Sequence, residues 1–118
     1  MVFGISDTPS IQPEQLENLI QDGFKLIDVR EQDEWNAGHH QSAEHIPMGM
    51  INESMDRFKD SESEKYIFVC RSGARSGRVT NFIVSQDIES YNLSGGMKEL
   101  QNFSEKIFNS EGNSGQII

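Results

Sequence analysis

The stretch that most constrains this chain is Tyr66-Ile67-Phe68-Val69, which runs straight into Cys70. Four apolar or aromatic residues in succession leave no polar face, so both sides of the segment must be covered. With Lys65 it reads as a strand over 65–69, and a short strand buried on both faces belongs in a parallel sheet with helices packed above and below. The flanking pattern agrees. Strand-like runs alternate with helical ones along the chain, which is the order of an α/β domain with a mostly parallel sheet.

Pro13 suits the first turn of a helix, Glu14 and Glu17 lie near its positive end, and Leu16, Leu19 and Ile20 form its inner face. Gly23 is placed to end it. Residues 24–29 read as a strand interrupted only by Lys25, and 31–37 as a polar helical turn closed by Gly38. Residues 43–46 form a short strand stopped by Pro47. A helix over 50–58 would turn Met50, Ile51, Met55 and Phe58 inward, and the acidic run 59–64 is a solvated connection. Beyond Cys70, a helix opening near Ser76 or Gly77 would bury Val79, Phe82 and Ile83. Residues 90–93 give a last strand, and Gly95-Gly96 opens a final helix with Met97, Leu100 and Phe103 inward. Residues 1–103 are therefore expected as one domain, and 104–118, polar and rich in Gly, Ser and Asn, as a mobile tail.

With 118 residues the chain is long enough for one hydrophobic core. Its formal charge of −9 argues against nucleic acid or an anionic membrane surface as the main partner. No apolar run reaches membrane-spanning length, and the opening segment lacks a basic region followed by an apolar core. A single cysteine cannot form an intramolecular disulfide. The expected location is the cytoplasm; oligomeric state is open.

In this acidic chain Arg71, Arg75 and Arg78 follow the one thiol. A strand that breaks into a Gly/Ser loop and then a helix puts Cys70 where α/β sheets bind ligands, beyond the carboxyl end of a strand. A free thiol of pKa about 8.5 is only about 5% ionised near neutral pH. Lowering that value by about 2 units requires about 2.7 kcal/mol of preference for the anion. One sheltered guanidinium about 5 Å away supplies about 3 kcal/mol at an effective dielectric of about 20. A helix N-terminus adds about 0.3–1 kcal/mol. The bland alternatives are a merely buried strand end, a common fate of free cysteine, and a solvated basic face. Three arginines gain nothing from a purely structural strand end.

Three segments in order, "LIDVREQDEWNAGH" (26–39), "VCRSGARS" (69–76) and "YNLSGGMKEL" (91–100), resemble the rhodanese domain, the fold of single-domain thiosulfate sulfurtransferases. The resemblance runs to about residue 103. It implies a central, mostly parallel five-stranded sheet with helices on both faces. It also implies that Cys70, as thiolate, takes the outer sulfur of a donor such as thiosulfate, releases sulfite, and passes the sulfur from a persulfide to cyanide or a thiol. On that pattern the loop residues Arg71, Ser72, Gly73, Ala74 and Arg75 bind the substrate, backbone N–H groups surround the sulfur, and the Arg71 and Arg75 side chains attract the anionic donor. Asp28, Arg30, Glu34 and Ser76 are supporting residues, and Trp35 is a packing residue. No cofactor is implied.

Loop length separates this reading from its nearest rival. Cysteine phosphatases, including those of rhodanese fold, use Cys-x5-Arg, whereas 70–75 is one residue shorter, which in the family fits a single sulfur atom. A non-catalytic rhodanese-fold binding or sensor module is the main alternative; a phosphatase, an arsenate reductase or a redox sensor ranks behind it. One segment departs from the family pattern: "GHHQSAEHIP" (38–47) has His40, Gln41 and Ser42 where apolar, Pro and Gly positions are usual. His39, His40 and His45 lack the spacing of a compact metal-ligand set, so no metal site is expected. The expected partners are a small anionic sulfur donor and a thiol or protein acceptor.

Overall fold

Every residue of the apolar run 66–69 is buried, and the strand it forms is the middle one of five. The computed structural model describes residues 7–60 and 64–118. In chain order the elements are β1 (Ser10–Ile11), α1 (Leu16–Gln21), β2 (Lys25–Asp28), α2 (Gln32–Ala37), β3 (His39–His40), β4 (Glu44–His45), α3 (Met55–Asp60), β5 (Tyr66–Val69), α4 (Ala74–Ser85), β6 (Ser90–Leu93), α5 (Gly96–Leu100) and β7 (Ile107–Phe108). The main sheet has the order β1-β6-β5-β2-β4, and every pairing in it is parallel. β3 and β7 form a separate antiparallel pair.

Successive side chains on a strand point to opposite faces, and β5 divides the core accordingly. Tyr66, Phe68 and Cys70 join Phe58 of α3 and Val79 and Ile83 of α4 on one face. Ile67 and Val69 join Leu16 of α1 and Met97 and Leu100 of α5 on the other. Phe58 meets Tyr66 edge-on, centroids 4.9 Å apart. Burying one such side chain contributes about 1.5–3 kcal/mol, so these two layers hold the end of β5 in place. Among the described residues no helix is long and apolar enough to cross a membrane.

Several local expectations change. β1 is absent from the sequence reading, because two residues carry no periodic signal. The helix expected over 50–58 is instead two 3-10 turns, Met48–Met50 and Asn52–Ser54, followed by α3. Met48 donates its N–H to the Val29 carbonyl (2.9 Å), so the chain leaves the sheet edge in tight turns, and Met50 is left 45% exposed. Part of the acidic connection, 61–63, lies outside the described residues. α4 begins at Ala74, ahead of the expected start, and its inner face is Ser76, Val79, Thr80 and Ile83, which leaves Phe82 exposed. α5 stops at Leu100, whose carbonyl accepts from both Phe103 and Ser104 N–H; the helical phase breaks and Phe103 turns outward.

Residues 104–118, expected as a mobile tail, return to the body of the protein. β7 pairs with β3, Ile107 is buried, and the Gln116 N–H donates to the Ala37 carbonyl (2.8 Å). The unusual 38–45 segment is the surface that receives them. His40 is fully buried there; its Nδ1 accepts from the Ser42 N–H, so Nε2 donates to Glu17 Oε1 (2.7 Å). The Gln41 N–H donates to the Lys106 carbonyl (2.9 Å).

Candidate active site

Cys70 follows the last residue of β5, and its fate is set by two glycines. Gly73 adopts φ +111°, a left-handed conformation that side chains disfavour, and this turns its N–H back onto Cys70 Sγ at 3.1 Å. Gly96 sits at the start of α5, where an added Cβ would lie 2.5 Å from both the Cys70 and the Arg71 carbonyl oxygens. Only glycine lets the helix press this close. Met97 and Lys98 N–H then donate to those same carbonyls at 2.8 and 2.9 Å. With its carbonyls pinned on α5, the loop is free to turn N–H groups toward the sulfur.

The Ser76 hydroxyl, fully buried on α4, lies 3.2 Å from Sγ. Burial pushes the Cys70 thiol up. The Ser76 hydroxyl and the Ser76, Gly73 and Ser72 amides together outweigh it, so the thiol sits below its ordinary value. Hydrogen-bond donors, rather than guanidinium groups, are the main stabilisers of the anion.

The arginines are otherwise employed. Arg75 Nη1 and Nη2 donate to the two carboxylate oxygens of Glu34 at 2.7 and 2.9 Å. That pair holds the Glu34 carboxyl below its ordinary value and pushes Arg75 further up. Arg71 is exposed, and its Nε donates to the Ile118 carbonyl (3.0 Å). Arg78 is exposed on the outer side of α4. Ala74 and Ser72 are exposed beside the loop.

Asp28, the last residue of β2, and Arg30, two residues beyond it, brace this arrangement. Both are fully buried; Arg30 Nε and Nη2 donate to Asp28 at 2.9 and 2.7 Å, and Nη2 also donates to the Gly38 carbonyl (2.7 Å). This fixes the end of α2, which carries Glu34 opposite Arg75. Trp35, expected as packing, stacks on His39 at 3.6 Å and on His45 at 4.8 Å. The three histidines take separate partners: His39 Nδ1 the Trp35 carbonyl, His40 Glu17, and His45 Nε2 the Arg30 carbonyl.

One residue at the site carried no role in the sequence reading. Asn92 of β6 donates through Nδ2 to the Gly73 carbonyl (3.1 Å) and places Oδ1 2.6 Å from Ser76 Oγ. Its signal was an amide side chain set between Tyr91 and Leu93, shortly ahead of the glycine pair.

The rhodanese-like domain model matches residues 12–103. The chain belongs to the rhodanese-like domain family. A Bacillus subtilis protein named "Putative sulfurtransferase YtwF" is 45% identical over 73 residues, 61% of this chain and 68% of that protein. Thiosulfate sulfurtransferase 18 of Arabidopsis thaliana is 33% identical over 89 residues, 64% of this chain and 65% of that one. The chain thus spans about two thirds of the length of these relatives. The crystal structure of a rhodanese-like domain protein from Staphylococcus aureus superposes with a TM-score of 0.70 at 30% identity, over 78% of this chain and 90% of that one. The five-stranded parallel sheet with flanking helices matches the architecture of its rhodanese-like structural relatives, and two of its sequence relatives carry the name sulfurtransferase.

Proposed function

We propose that this domain transfers a sulfane sulfur, with Cys70 as the nucleophile and a Cys70 persulfide as the intermediate. The observation that carries the reading is the set of donors converging on one buried sulfur from the segment 70–76, Gly73 N–H at 3.1 Å and Ser76 Oγ at 3.2 Å, with only four residues between Cys70 and Arg75. Such a cradle favours a thiolate without a separate general base. It also leaves N–H groups in place to hold charge on the sulfur that arrives.

In the first half-reaction the Cys70 thiolate attacks the outer sulfur of a donor such as thiosulfate. The new S–S bond forms as the donor's own S–S bond breaks, and sulfite departs with the electron pair. In the second, a thiol or cyanide attacks the outer sulfur and returns Cys70 as thiolate, so the kinetics are ping-pong. Arg71, in solvent at the loop, draws in the small anionic donor. Arg75, already neutralised by Glu34, fixes the beginning of α4, a more structural part than attraction of the donor. Asp28, Arg30 and Glu34 support the loop, and no cofactor or metal enters either step.

Intact mass after thiosulfate treatment tests this. The mechanism requires a gain of about 32 Da that is absent in Cys70→Ser and reversed by cyanide. A protein that gains no sulfur from thiosulfate, mercaptopyruvate or polysulfide is instead a binding module built on the same fold.

A further inference from the structure

Asn92 is 8% exposed, and its side chain is held at both ends. Nδ2 donates to the Gly73 carbonyl, which sets the orientation of the amide, since the flipped form would place two oxygens together. Oδ1 therefore faces Ser76 as an acceptor at 2.6 Å. The same Ser76 hydroxyl is 3.2 Å from Cys70 Sγ. A hydroxyl has one proton to give, and here two acceptors compete for it. The Gly73 carbonyl, at 3.4 Å, is the more distant third.

We propose that Asn92 is a positioning residue for the chemistry of Cys70, holding the Ser76 hydroxyl proton while the sulfur is uncharged and yielding it when the sulfur is ionised. This rests on the sulfur-transfer reading above. With Cys70 as a thiol, S–H donates to Ser76 Oγ and O–H donates to Asn92 Oδ1, so every group is paired. On ionisation the hydroxyl turns to Sγ, and Oδ1 loses its donor. When the thiolate attacks thiosulfate, a Sγ electron pair becomes the new S–S bond, sulfite leaves, and the negative charge moves to the outer sulfur. Sγ no longer needs the proton, and Asn92 takes it back. The hydrogen bond lost at Sγ is replaced at Oδ1 as the charge departs, which favours the transition state over the resting thiolate.

The other charged groups around the loop are Arg71 and Arg75, Glu34 of α2, Asp28 and Arg30 at the end of β2, and Lys98 and Glu99 of α5. None is altered when Ser76 or Asn92 is changed, so a difference between such variants reports on the pair. The experiment measures the pH dependence of iodoacetamide alkylation in the full chain, where Cys70 is the single cysteine. Ser76→Ala should raise the midpoint by about one pH unit, the worth of a hydrogen bond to a charged group. Asn92→Leu should lower it by about half a unit, since the hydroxyl then serves the sulfur alone. The double variant should match Ser76→Ala. In single-turnover sulfur uptake, Asn92→Leu should lower the maximal rate several-fold and leave the half-saturating thiosulfate concentration unchanged.

A midpoint that rises in Asn92→Leu, or that moves in the Ser76→Ala background, would overturn the proposal and leave Asn92 a structural residue. Asn92→Ala serves in the same tests if the leucine variant does not fold. Alkylation needs no sulfur donor. A parent protein that takes up no sulfur therefore sinks the sulfur-transfer reading, while the alkylation series still judges the proton switch.

Discussion

Glu34→Gln separates the two jobs that the Glu34–Arg75 pair performs, stability and charge balance at the loop. Glutamine is chosen because Glu34 Oε1 also accepts the Glu31 N–H (3.2 Å) in a capping box at the start of α2, and glutamine preserves such a box. What disappears is the negative charge facing the guanidinium. The side chains are 14% and 31% exposed, between the exposed pairs worth about 0.2–1 kcal/mol and the buried ones whose disruption costs about 3–5 kcal/mol. A loss of about 1–3 kcal/mol is expected, read as a lower urea midpoint with an unchanged slope. The pH dependence carries a sign. Glu34 titrates below its ordinary value in the folded protein, so its contribution is complete above the unfolded value of about 4.3 and is lost as pH falls through the lower folded value. The stability gap between parent and variant should therefore be flat from neutral pH to about pH 5 and close below about pH 4. Freed of Glu34, Arg75 becomes a net cation beside the loop. A unit charge about 7 Å from a dianion in a water-like dielectric is worth about 1 kcal/mol, so the half-saturating thiosulfate concentration should fall several-fold. A variant as stable as the parent at neutral pH, with a gap that does not close in acid, would show that the pair contributes nothing and that the loop is held otherwise.

Gly96→Ala should lose at least about 1–2 kcal/mol from its left-handed backbone alone. It should lose sulfur uptake as well, because the methyl group meets the Cys70 and Arg71 carbonyls; urea unfolding and intact mass check the two effects. Phe58→Ala, at a side chain 1% exposed beneath β5, should cost about 3–5 kcal/mol in the same unfolding assay. Removing residues 104–118 uncovers the surface that Ile107 and Ile117 pack against and should lower the urea midpoint by the equivalent of about 1–3 kcal/mol. An unchanged midpoint would show that the segment is a dispensable tail.

The centre of the main sheet, β2 and β5, was legible because residues 24–29 and 66–69 are dense in apolar residues, and several helices were because they are bounded by Pro13, Gly23, Gly38 and the 95–96 glycine pair. Two-residue strands such as β1, β3 and β7 were not, because their pairing is set by partners distant in the chain. The return of 104–118 was hidden for a related reason. Its composition is that of a loop, and of its four apolar residues Ile107 and Ile117 join the core cluster. The unusual His40 belongs to the same feature, a buried polar residue whose partner Glu17 lies on α1.

At the site, the charge argument pointed to the loop after Cys70 by a route the structure modifies. Three arginines after a thiol suggested guanidinium groups around the sulfur, yet Arg75 is bound by Glu34 and Arg71 reaches outward. The anion is favoured chiefly by amides and a hydroxyl, whose directions depend on Gly73, Gly96 and Asn92 rather than on charge. This has a chemical consequence. A guanidinium locked beside Sγ would attract its charge equally throughout the reaction, lowering the thiol pKa and the nucleophilicity of the thiolate together. Short hydrogen bonds from donors with a second acceptor within reach can be surrendered as the charge moves to the outer sulfur. In this loop Ser76 is such a donor, and the arginines are left to shape the entrance and the backbone around it.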